Sequence, residues 1–149
     1  MRLTRGSRLP RRLIDLIPLV LWMGLIFWLS SRSVLIQIES DSGEKLVYKT
    51  AHMLAYAVLA WLWWRAISPN RRLTWPILSL AVALTVLYGI SDEIHQLFVP
   101  GRHGQLADVL FDTGGALAMA LFLRLARLRR SLLSVGRLAG DFKPNSSQT

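Results

Sequence analysis

Between Ser91 and Asp112 the chain places four carboxylates (Asp92, Glu93, Asp108 and Asp112), two histidines and Arg102 within 22 residues. Long apolar runs lead into this stretch and out of it. Polar groups at the mouth of a hydrophobic segment are costly in lipid and are usually kept for a function. Elsewhere, Lys49, His52 and Tyr56 recur at intervals of three and four, which puts them on one helical face. Tyr88, Asp92 and His95 (or Gln96) make a similar stripe, and Gln105, Asp108 and Asp112 repeat the first spacing. Carboxylates accept hydroxyl or ammonium donors, and an arginine such as Arg102 holds a phosphate or carboxylate, so such a set suits a polar headgroup.

Three other chemistries are open to these residues. Glu93 and His52 form a conceivable general acid–base pair. His52, His95 and Asp108 would have to converge to hold a metal, but Asp-Glu-x-His is not the H-E-x-x-H zinc pattern, and no metal site is expected. The third is structural: buried hydrogen bonds clamping a helix bundle, at about 0.6–2 kcal/mol each. Charge argues against a clamp alone, since four carboxylates face two permanent cations, Lys49 and Arg102. Balance then needs charged histidines, neutral acids, a bound cation or a cationic ligand. There is no G-x-S-x-G elbow, no cysteine and no P-loop, so the chain carries no established catalytic motif and no cofactor is expected.

The elements that must position these groups follow from composition. Of 149 residues, 52% are hydrophobic and six are Trp, with a mean hydropathy of +0.37. Arg clusters punctuate apolar runs, which points to a small polytopic membrane protein. The net charge of +9 sits where cytoplasmic flanks would lie, so no nucleic-acid partner is expected. Apolar runs are expected to span from Leu13 to about Ser31, Thr50 to Ile67, Leu73 or Trp75 to Leu87, where the third meets Tyr88 and the 91–96 cluster, and Leu106 to Leu123. Each is near the length needed for a hydrocarbon core of ~30 Å. Asp15 and Pro18 fall in the first two turns of the first run, where a helix N-terminus tolerates them. That run reads as a retained signal anchor, since it lacks a clear A-x-A-like cleavage site. Trp61, Trp63, Trp64 and Arg65 read as an aromatic belt with a basic anchor, and Pro100-Gly101 as the end of the third helix.

The expected fold is all-α: a four-transmembrane-helix bundle with both termini in the cytoplasm. Residues 1–12 form a basic arm, 13–123 the four-span domain, and 124–149 a basic amphipathic segment with a disordered tail. Lysine and arginine number 14 on the side of the termini and the 65–72 turn, against four on the other. The positive-inside rule therefore turns the 91–112 stretch outward.

The residues around this cluster resemble the VanZ-like family of small bacterial membrane proteins. The likeness lies in Ser30-Ser31, Lys49-x-x-His52-x-x-x-Tyr56, Asp92-Glu93-x-His95-Gln96-x-Phe98-x-Pro100-Gly101-Arg102, Asp108-Val-Leu-x-Asp112 and Gly115. It implies a multi-pass protein of the bacterial inner membrane, related to a namesake associated with low-level teicoplanin resistance. That resistance does not remodel the D-Ala-D-Ala target and is thought to reduce drug engagement at the cell surface. The pattern marks Lys49, His52, Tyr56, Asp92, Glu93, Gln96, Arg102, Asp108 and Asp112 as ligand-binding residues. Asp112 stands where the family carries Asn as often as Asp. Met119 stands where a second glycine would complete a small-x-x-x-small contact with Gly115, leaving Gly114/Ala118 or Ala116/Ala120 to supply close packing.

The reading that follows is a protein binding an envelope lipid headgroup or lipid-linked wall precursor and so affecting glycopeptide susceptibility. The alternatives are an intramembrane enzyme modifying an envelope lipid or glycan, and a structural subunit of a larger complex. A homo-oligomer or a membrane partner suits a bundle of only four helices.

Overall fold

Helix formers dominate each apolar run, and the computed structural model turns them into four helices. It describes residues 11–32, 42–100 and 106–140. Helix α1 spans Arg11–Ser30, α2 Ser42–Ile67, α3 Trp75–Gln96 and α4 Leu106–Gly140, with a 3-10 turn at Pro69–Arg71 between α2 and α3. Among the described residues there is no strand. The basic arm through residue 10 and the tail from residue 141 lie outside them.

Two helices run beyond the expected spans. Helix α2 begins at Ser42, not near Thr50, because residues 44–49 contain neither Gly nor Pro and simply continue the helix. Helix α4 runs unbroken for 35 residues, about 52 Å at the α-helical rise. Leu123 is therefore no boundary of secondary structure, and the Arg-rich segment is the same rod as the last apolar run. Helix α3 ends at Gln96, before Pro100; Phe98 and Val99 close the turn by donating to the His95 and Gln96 carbonyls at 3.0 and 3.1 Å.

Helix α2 is central, packing most extensively on α4 and also on α3 and α1. One core joins Leu19 and Ile26 of α1 to Tyr56, Leu59 and Leu62 of α2. A second joins Trp64 to Leu78 and Ala81, with Ala120 and Leu123 against it. Because α2 is surrounded, its tryptophans turn inward. Trp64 is buried and Trp61 and Trp63 are half-buried, so they form interior packing where a lipid-facing belt was expected. The outer faces are apolar, with Ile17, Leu21, Leu87, Leu110 and Phe122 among many exposed large side chains. Trp75–Gln96 and Ala107–Ser134 are long and apolar enough to cross a membrane, and Ile14–Ser30 is a shorter apolar helix.

Close packing of α4 on α2 runs through Gly115. A Cβ there would strike the Met53 carbonyl oxygen and lie 2.9 Å from its carbon, whereas Gly114 faces open space. Ala116 is fully buried and Ala120 half-buried, while Ala118 is exposed. The register is thus Gly115 with Ala116/Ala120, and Gly114/Ala118 takes no part.

At the end of the bundle where α1 begins, Asp15 is buried and accepts from Arg65 at 2.9 Å and Arg71 at 2.7 Å. The helix N-terminus explains less of its tolerance than these two guanidinium groups. Arg71 reaches Asp15 because Asn70 and Arg71 both adopt left-handed backbone, with φ 55° and 57°. Asn takes that conformation readily; Arg does so at a cost. The turn is locked from below by Trp64 Nε1 and the Ser68 hydroxyl, which both donate to the Arg72 carbonyl, at 3.0 and 2.8 Å. Replacing Asp15 with Asn should leave two facing guanidinium groups and lower stability by about 2 kcal/mol, between the values for exposed and buried pairs. Unfolding of the purified protein in detergent measures this, and an unchanged midpoint would mean that the bridge is not structural.

Candidate functional site

The opposite end of the bundle, where α1 finishes and α4 starts, holds the polar stripes. Helix α2 presents Lys49, His52 and Tyr56. Helix α4 presents Asp108 and Asp112, with Asp108 in its first turn, where an acid faces the helix dipole favourably. Lys49 Nζ lies 3.8 Å from Asp108 Oδ1 and sits over the Phe111 ring at 4.6 Å. One turn deeper, His52 Nδ1 lies 3.5 Å from Asp112 Oδ1, too long for a strong hydrogen bond but close for a charge contact.

The stripe expected on α3 divides. Asp92, Glu93 and Gln96 turn into the bundle and are buried. Tyr88 and His95 turn toward α1: the Tyr88 hydroxyl donates to the Met23 carbonyl at 2.6 Å, and His95 stacks on Phe27 and meets the Ser31 hydroxyl at 3.0 Å. His95 is thereby drawn away from His52 and Asp108, so that trio does not converge. Among the described residues no group of three acids or histidines is placed to hold a metal ion.

Asp92 is the hub. Its Oδ2 accepts from the Ser30 hydroxyl at 2.6 Å, Gln96 Nε2 at 3.2 Å and the Tyr56 hydroxyl at 3.4 Å. Gln96 also donates to Glu93 Oε1 at 3.4 Å. Eight of the nine residues marked from the sequence, Lys49, His52, Tyr56, Asp92, Glu93, Gln96, Asp108 and Asp112, thus lie side by side across α2, α3 and α4. Arg102 and Gln105 lie outside the described residues.

Among the described residues, Asp92 Oδ1 and both oxygens of Asp112 have no hydrogen-bond donor. Asp112 is only 1% exposed. An ionised carboxylate so placed, with one histidine at 3.5 Å, costs several kcal/mol unless further donors or a cation reach it. Beside it an apolar cleft of about 230 Å³ opens between α1 and α2, lined by Ile26, Leu29 and Ala55 and ending on Ser30, His52 and Tyr56.

Two positioning residues escaped the sequence reading. Gly89 lets α3 close on the cluster: a Cβ there would come within 3.2 Å of the Tyr56 ring and 3.6 Å of Asp112 Oδ2. Its place on the buried Ala81, Thr85, Gly89 row of α3 is the signal that could have found it, since small residues at helical spacing mark close helix approach. Ser30 was noted only as part of a likeness, and its short bond to Asp92 ties α1 to the site.

Fold and site together define an all-helical protein with exposed apolar faces and a buried acidic cluster at one end. Over residues 2–127 the chain matches the family model described as VanZ/LLP1. It belongs to that family. No curated protein and no solved structure matches it. Two helices apolar enough to cross a bilayer, in a member of this family, mark a membrane protein.

Proposed function

We propose that all four helices cross the bacterial cytoplasmic membrane with both termini inside, and that the acidic cluster faces outward. There it holds the polar headgroup of an envelope lipid or lipid-linked wall precursor, and so alters how glycopeptide antibiotics of the teicoplanin type engage the surface. The lysine and arginine distribution supports the orientation. One observation carries the ligand reading: buried acceptors on Asp92 and Asp112 without donors among the described residues adjoin an apolar cleft. A lipid offers both complements at once, hydroxyl or ammonium donors for the carboxylates and an acyl chain for the cleft. The cleft lies between two helices, where a chain can enter sideways from the bilayer.

The His52–Asp112 contact beside the cleft favours a second reading, acid–base chemistry on the bound lipid. One comparison separates them: envelope lipids and wall precursors by mass, and teicoplanin sensitivity, in cells expressing wild type, Glu93→Gln or Asp112→Asn at matched levels. Loss of a charged acceptor should weaken ligand retention by about tenfold or more, return sensitivity toward that of cells lacking the protein, and leave lipid masses unchanged. A new mass seen only with wild type would establish the enzymatic reading instead. Unaltered sensitivity and unaltered lipid retention in both variants would defeat the proposal.

A further inference from the structure

At the far end of the molecule from the acidic cluster, a second cavity of about 360 Å³ lies between the α2–α3 turn and α4. Clefts that hold small ligands begin at about this size. Its wall carries Arg71 and Arg72 from the turn and Arg127 and Arg130 from α4. The α4 side is a single face, since Leu123, Ala126, Arg127 and Arg130 follow helical spacing. Arg124, one residue along, does not line it. It donates to the Leu73 carbonyl at 2.9 Å and covers the Trp75 ring at 4.6 Å, pinning the turn to α4.

The charge around this cavity is unbalanced. Asp15 is shared between Arg65 and Arg71. Among the described residues no carboxylate pairs with Arg72, Arg127 or Arg130, and α4 contains no acid beyond Asp112. Like charges converging on one cleft repel, and they are stabilised when an anion sits between them. Guanidinium groups offer paired donors matched to phosphate oxygens. Arg71 is also fixed in place by its bonds to Asp15 and to the Arg65 carbonyl, at 2.7 and 3.1 Å, so one wall of the cleft is set before any ligand arrives.

The geometry points to a phosphate-binding site in this cleft, taking either the phosphodiester of an anionic phospholipid or a free phosphate. Position in the membrane explains why arginines gather at this end; it does not explain why Arg127 and Arg130 line a cleft while Arg129 does not. That difference supplies the control. All three side chains are exposed, so each tolerates Arg→Gln without loss of packing, and each substitution removes the same charge.

The full-length protein in phosphatidylcholine nanodiscs would be titrated with inorganic pyrophosphate and, separately, exchanged against phosphatidylglycerol with bound lipid counted by native mass spectrometry. Binding should weaken about tenfold in Arg127→Gln and in Arg130→Gln, as expected for loss of a charged hydrogen-bonding partner, and stay within about twofold in Arg129→Gln. Retention of phosphatidylglycerol without a pyrophosphate response assigns the site to lipid; a response to both assigns it to the phosphate group itself. Equal weakening in all three variants would reduce the feature to bulk charge and overturn the site, as would failure of wild type to hold either probe.

Discussion

Replacing Gly115 with alanine will destabilise the bundle by about 1–3 kcal/mol, and valine will cost more, because the added carbon has nowhere to go. It meets the backbone carbonyl of Met53, which cannot rotate aside as a side chain would. The helices must separate instead. Gly114→Ala is the matched control. It adds the same methyl into open space and replaces a poor helix former, so it should be neutral or stabilising by up to about 1 kcal/mol. Unfolding of both variants in detergent, followed by circular dichroism, gives the comparison directly. The consequence reaches the site, because Met53 adjoins His52 and Gly115 lies one turn from Asp112. Separating α2 from α4 will lengthen the His52–Asp112 and Lys49–Asp108 contacts together. Equal stability of the two alanine variants would mean that the α2–α4 approach is looser than the geometry states.

What could be read in the sequence was periodicity. Lys49, His52 and Tyr56, and Asp108 and Asp112, are legible as faces because helical spacing fixes which residues share one, and four apolar runs mark the helices. What could not be read was everything depending on which face a neighbour covers. Tyr88 and His95 share the spacing of Asp92 and Gln96 yet bond to α1. The tryptophans of α2 resemble an interfacial belt until α2 is known to be enclosed. Asp15 resembles a tolerated N-terminal acid because Arg65 and Arg71 lie 50 and 56 residues away in sequence, and only the left-handed turn brings Arg71 back. Helix ends are illegible where no residue marks them: nothing in 44–49 delays α2, and nothing near Leu123 stops α4.

Asp92→Ala will be the most damaging substitution within the acidic cluster, and the reason is structural. One oxygen accepts from Ser30 of α1, Tyr56 of α2 and Gln96 of its own helix α3. Its removal orphans two donors, the hydroxyls of Ser30 and Tyr56, both buried on neighbouring helices, while Gln96 keeps Glu93. Each orphan costs about 1–3 kcal/mol in a soluble core. Polar contacts between transmembrane helices average nearer 0.6 kcal/mol, because the separated helices find other partners. A combined loss of about 2–4 kcal/mol follows for Asp92→Ala, with Asp92→Asn less severe because it retains an acceptor for the 2.6 Å Ser30 bond. A double-mutant cycle with Ser30→Ala isolates that bond, with an expected coupling of about 1 kcal/mol. No coupling, with Asp92→Ala as stable as wild type, would remove Asp92 as the tie between α1, α2 and α3. The result also divides the cluster by role. Asp112 holds none of these bonds, so Asp112→Asn should spare the fold while changing ligand retention. If Asp112→Asn instead unfolds the protein as Asp92→Ala does, the acids act as one clamp and the ligand reading loses its support.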